Sequence, residues 1–200
     1  MVSSFIAYCV IPAYTLIFVR NSDWLASNLS VIGSWPGRRV AFFFLGLLVG
    51  TYYLVILRRL LSRLPRHMTE SLLLWTAFAL LMLAVSTPYL PEAVPFQAFL
   101  HVVFAFTSSI LLALCLWLTF RHLSGLSPEL MEFLRPYRMS MAVIGAVCAA
   151  LLLIAGIIST AMELYFLATT IVLVQKAYIH LNNPAGEVLP PNRPAGAGPL

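Results

Sequence analysis

The sequence predicts an all-α membrane protein: a polytopic bundle of six transmembrane helices with both the N and C termini cytoplasmic. Three observations carry this. Of 200 residues, 61% are hydrophobic and only 10% charged, and the mean hydropathy is +0.93, so no globule could hide this much apolar surface from water and lipid has to act as the solvent. Apolar runs of about 20 residues, the length that crosses a core of about 30 Å at 1.5 Å per residue, recur along the chain. Finally, the basic residues fall unevenly between the loops that separate these runs.

The first run, residues 3–20, is read as a retained helix rather than a secretory signal, because no basic region precedes it and Pro12 and two tyrosines interrupt it. The second covers 40–57, the third 71–88, the fourth 97–120, the fifth 139–159 and the sixth 161–181. Residues 139–181 are too long for one straight crossing, and Ser159, Thr160 and Glu163 place polarity near the middle, so a tight turn is expected there. The transmembrane domain is thus assigned to residues 1–181. The remainder, 182–200, is rich in Pro, Gly and Ala without hydrophobic periodicity and is expected to be a disordered cytoplasmic tail. No internal repeat is present.

Orientation follows from Lys and Arg. Arg58, Arg59, Arg63, Arg66, Arg121, Arg135, Arg138, Lys176 and Arg193 fall on one side, nine against three: Arg20, Arg38 and Arg39 on the other. The net charge of +5 is therefore read as topology, not as a nucleic-acid footprint, and the run RRLLSRLPRH as an orientation signal beside the membrane. Gly46 and Gly50 form a GxxxG step on the second helix, and Ala142, Gly145, Ala149 and Gly156 a small-residue stripe on the fifth, both read as packing faces that also suit a homodimer.

Ionisable groups at membrane depth are costly and mark candidate sites. His101 near the start of the fourth helix, Glu92 in the loop before that helix, and Glu163 at the start of the sixth all belong to the external end, and the topology puts Arg38 and Arg39 on that side. The expected ligand-binding set is Arg38, Arg39, Glu92, His101 and Glu163. Glu163 paired with Arg38 or Arg39 would explain why two arginines break the charge rule. His101, Ala105 and Ser108 share one helical face, which turns small and polar groups inward. His101 and Glu163 are the catalytic candidates, as base and orienter.

Ser108 and Ser109 lack a nucleophile elbow and are expected to bond the preceding turn. Cys9, Cys115 and Cys148 have no ligand spacing and read as small core residues. No metal and no cofactor is expected. Trp24 and Trp35 suit the headgroup level, and Asn28-Leu29-Ser30 matches a glycosylation tripeptide that often occurs by chance.

Two stretches carry a resemblance. SNLSVIGSWPGRRVAFFFLGLLVG, a polar loop leading into a Phe-rich, Gly-containing helix, and TPYLPEAVPFQAFLHVVFAF, a Pro-rich turn with a histidine just inside the next helix, resemble uncharacterised six-helix bacterial membrane proteins of the DUF998 group and its distant Frag1/DRAM/Sfk1 relatives. The resemblance implies six helices, a polar external pocket near His101, a bacterial cytoplasmic membrane, and lipid-linked roles; it carries over no catalytic set. The expected function is binding of a lipid or small amphiphile in that pocket, or service as a subunit to a membrane-protein partner. An intramembrane lipid-modifying enzyme using His101 as base is the alternative, and a small transporter a second one. Membrane lipids are the expected partners; nucleic acid is not.

Overall fold

A computed structural model describes residues 2–182, all helix and connecting turn, with no strand among them. Five helices are long and apolar enough to cross a membrane: α3 (Arg39–Leu61), α4 (Met68–Ser86), α5 (Pro95–Ser124), α6 (Pro128–Ala155) and α7 (Thr160–Asn182). They are joined by a shorter apolar helix, α1 (Val2–Phe18), and by a six-residue helix, α2 (Leu29–Ser34), in the first loop. The expected disordered tail lies outside the described residues, apart from Asn182, which closes α7.

Several helix ends have a local cause. α1 contains a π-turn at Ile6–Val10, where the Ile11 amide reaches back five residues to the Ile6 carbonyl. Pro12 follows at once, and the wider turn accommodates a residue that has no N–H and crowds the carbonyl four before it. Asn28 starts α2 by accepting from the Val31 amide at 2.8 Å, and Ser127 starts α6 by accepting from Leu130 at 3.2 Å. Proline occupies the first turn of α5 and of α6. Gly156 ends α6 at φ 68°, a left-handed cap that costs glycine least, so the expected break in 139–181 is present.

The fifth crossing begins earlier than the hydropathy run predicts. Residues 128–138, taken as loop, are the first turns of α6, because Leu130, Leu134, Tyr137, Met141 and Ile144 form one buried stripe at helical spacing while Glu129, Glu132 and Arg135 stay outside. Pro136 is carried within it. The first helix stops at Phe18 rather than residue 20, and His101 lies nearly two turns into α5, since that helix starts at Pro95.

The helices follow one another around the bundle, α4 packing most closely on α5, and α7 returns against α3 and α1. Ser3 and Ser4 accept from the Gln175 amide at 3.3 and 3.1 Å, and Arg63 donates to the Leu181 carbonyl at 2.8 Å, so both described ends of the chain lie at the arginine-rich end. Leu57, Leu60, Phe120, Leu123, Leu130 and Leu134 are fully buried there. Outward faces are apolar instead: Leu153 is 85% exposed and Ile17 72%, which only lipid makes tolerable.

The two small-residue faces differ. A Cβ on Gly46 would come within 2.5 Å of Val85, and one on Gly50 within 3.1 Å of Phe78 and Leu81, so α3 and α4 approach closely because of these glycines. Gly145 has nothing within 4 Å of its Cβ position, and Ala142 and Ala149 are exposed, so the stripe on α6 packs against nothing among the described residues. Gly46→Leu is expected to cost about 1–3 kcal/mol by overpacking and to lower the melting midpoint in detergent, while Gly145→Leu leaves it unchanged. Equal loss in both variants would place the contact face elsewhere.

Candidate functional site

Polar groups of the arginine-poor end are organised by the first loop, which folds over the bundle. The Thr160 and Ala161 amides, unpaired donors of the first turn of α7, donate to the carbonyls of Ser27 at 2.6 Å and Trp24 at 2.8 Å. In return the Glu163 carboxylate accepts from the Leu29 amide at 2.7 Å, in the first turn of α2. Loop and helix each satisfy backbone donors of the other.

His101 is 1% exposed and both ring nitrogens are engaged. Nδ1 lies 2.9 Å from the Thr87 carbonyl, which follows the end of α4, and Nε2 lies 2.6 Å from the Ser30 hydroxyl of α2. Phe42 and Tyr89 flank the imidazole, with ring centroids 6.1 and 5.5 Å away. Leu29 and Ser30, neighbours in sequence, therefore tie α2 to Glu163 and to His101.

Two cavities meet at these residues. One of about 270 Å³ has Asn28, Ser30, Tyr89, His101 and Glu163 at its polar end. Its walls are apolar, and Val102, Phe106 and Ile110 among them are exposed on the lipid-facing side of α5. The second, about 170 Å³, lies between α3, α4, α5 and α7 and shares Ser30, His101, Ala105, Ser109 and Glu163. Both cavities combine a few polar side chains with a mainly apolar lining.

The remaining predicted residues are elsewhere. Arg38 donates to the Phe18 carbonyl at 2.6 Å and the Arg20 carbonyl at 3.2 Å and stacks on Trp35 at 4.9 Å, while Arg39 donates to the Ser86 carbonyl at 3.3 Å. Both cap helix C-termini, where unpaired carbonyls and the macrodipole favour a cation, so the expected pairing with Glu163 does not form among the described residues. Arg39 does line a small side cavity of about 40 Å³ beside His101. Glu92 is exposed in the turn before α5 and does not join the cluster. Nor does Glu163 orient His101; the Thr87 carbonyl does.

Ser108 bonds the Ala77 carbonyl of α4 at 2.7 Å rather than its own preceding turn, whereas Ser109 does bond Ala105 at 3.0 Å. Of the cysteines only Cys115 is fully in the core; Cys148 lines the larger cavity and Cys9 is exposed. Sequence reasoning missed Ser30 as a site residue, meeting it in a glycosylation tripeptide and in the stretch that carries the resemblance. It also missed a buried carboxylate at the opposite end, where Glu70, 1% exposed, meets the half-exposed His122 ring. Among the described residues no three His, Cys, Asp or Glu side chains gather as a metal site.

Fold and site together define an all-α, multi-pass membrane bundle with a polar-headed pocket at one end. The chain matches no family model, no curated protein and no solved structure.

Proposed function

We propose that the protein binds a lipid or small amphiphile in the pocket beside His101 and Glu163. The observation that carries this is the cavity itself: polar groups from α2, α5 and α7 converge at one end, and the walls beyond are apolar and reach the lipid-exposed face of α5. Excess Arg and Lys at the far end fits a cytoplasmic face, which would put the pocket in the outer half of a cell membrane. Glu163 and the Ser30 hydroxyl supply acceptor oxygens for a hydroxyl or amine head.

Native mass spectrometry with lipid identification on the purified full chain tests this. Wild type is expected to retain one amphiphile through a release of bulk detergent and lipid, and Ala105→Trp, which fills both cavities, is expected to lose it while eluting as the same folded species. Wild type holding nothing beyond bulk lipid would sink the reading and favour a subunit role with a membrane partner.

A further inference from the structure

We infer that Ser30 and His101 are a nucleophile and base that cleave or transfer the acyl group of a lipid ester, an inference that rests on the amphiphile reading of the same pocket. The protonation pattern follows from the partners. A carbonyl cannot donate, so Nδ1 of His101, 2.9 Å from the Thr87 oxygen, carries a proton. In the neutral ring Nε2 is then the bare acceptor, and the Ser30 hydroxyl at 2.6 Å donates to it. A hydroxyl hydrogen-bonded to an imidazole whose other nitrogen is held by an acceptor is the arrangement that activates serine, recognised by geometry rather than by chain order.

Two further features separate this pair from a serine that merely satisfies a core histidine. Serines in this chain otherwise turn mostly to nearby backbone carbonyls, as Ser22, Ser34, Ser62, Ser109 and Ser124 do, whereas Ser30 reaches an imidazole 71 residues away. Ser30 is also half-buried and lines both cavities, so its oxygen borders space that an ester carbonyl can enter while an acyl chain occupies the apolar wall along Ala105, Phe106 and Ile110. The ring cannot swing away, being buried between Phe42 and Tyr89.

The step balances without a cofactor. Ser30 Oγ bonds to the ester carbonyl carbon as its proton passes to Nε2; the bond from that carbon to the alcohol oxygen breaks, and the alcohol leaves with the proton from His101. Water, or a second lipid alcohol, then attacks the acyl-serine, gives its proton to Nε2, and Ser30 regains one on departure of the acyl group. No electrons change hands.

The test is covalent capture. The full chain in detergent micelles is treated with an alkyl fluorophosphonate, and the modified residue is mapped by peptide mass spectrometry. The adduct is expected on Ser30, absent in Ser30→Ala, and formed about a hundredfold more slowly in His101→Gln, which keeps a donor for Thr87 but has no base. An unmodified Ser30 in the wild type overturns the proposal, as does equal labelling in His101→Gln. The same sample is examined by native mass spectrometry: retained amphiphile with an inert Ser30 leaves the pocket as a binding site only, whereas absence of both defeats the pocket reading as well.

Discussion

Replacing His122 by alanine is expected to lower the stability of the bundle by about 1–3 kcal/mol, the cost of leaving a buried polar group without its hydrogen-bond partner. Glu70 stands in the first turn of α4 with 1% of its surface exposed, and His122, in the last turn of α5, is its side-chain partner. The imidazole itself is half exposed, so alanine there removes little apolar packing, and the loss comes from the carboxylate left behind. Glu70 would then either hold an uncompensated charge or bind a proton, and both options cost free energy. The companion variant separates this from a general defect. Glu70→Gln carries no charge, so the double variant Glu70→Gln, His122→Ala is expected to melt well above His122→Ala alone. Thermal unfolding followed by size-exclusion chromatography reads this; additive losses would show that the two side chains are not coupled.

Much of the fold was legible because crossing a bilayer imposes a length and a composition on each segment. All six apolar runs correspond to helices, and the break near Ser159 falls where polar residues interrupt apolar ones. The errors come from the same ruler. It recognises lipid-facing apolar runs, so it is blind to the amphipathic turns 128–138, whose Leu130, Leu134 and Tyr137 face protein while their charges face water. It also equates a small residue with a contact, which holds for Gly46 against Val85 and fails for Gly145, since nothing in the sequence says which face of α6 meets a neighbour.

The site was legible only in part, for a different reason. His101 and Glu163 stand out because ionisable groups in an apolar run are costly, and both do line the pocket. Their partners are backbone groups and a hydroxyl: the Thr87 carbonyl, the Leu29 amide and Ser30. Every residue has an amide or carbonyl, so a partnership of this kind leaves no mark on composition. Arg38 and Arg39 looked like counter-ions for Glu163 on sidedness alone; helix C-terminal carbonyls compete for the same guanidinium donors and take them. One clue was readable. Asn28 followed by an apolar stretch is a helix-start signal, and taking it as one would have placed Ser30 on a short helix facing the membrane-embedded residues.

Glu163→Ala is the second variant expected to have a large effect, and it acts through backbone, not charge. The carboxylate accepts the Leu29 amide at 2.7 Å; alanine leaves that part-buried donor without its partner, at about 1–3 kcal/mol, and opens space beside a cavity that already exists. Because Leu29 and Ser30 are consecutive, freeing the first also loosens the second, and the Ser30–His101 hydrogen bond should weaken with it. The loop would still be held by Thr160 and Ala161 through Ser27 and Trp24, so local opening of α2, not global unfolding, is the expected outcome. Hydrogen exchange reads this directly: amides of residues 29–34 should exchange faster in Glu163→Ala, those of α3 to α6 should not, and Glu163→Gln, which keeps an acceptor oxygen for Leu29, should resemble wild type. If Glu163→Gln opened α2 as far as alanine does, the negative charge rather than the hydrogen bond would be what holds the loop, and the amide-capping role argued for Glu163 would be wrong.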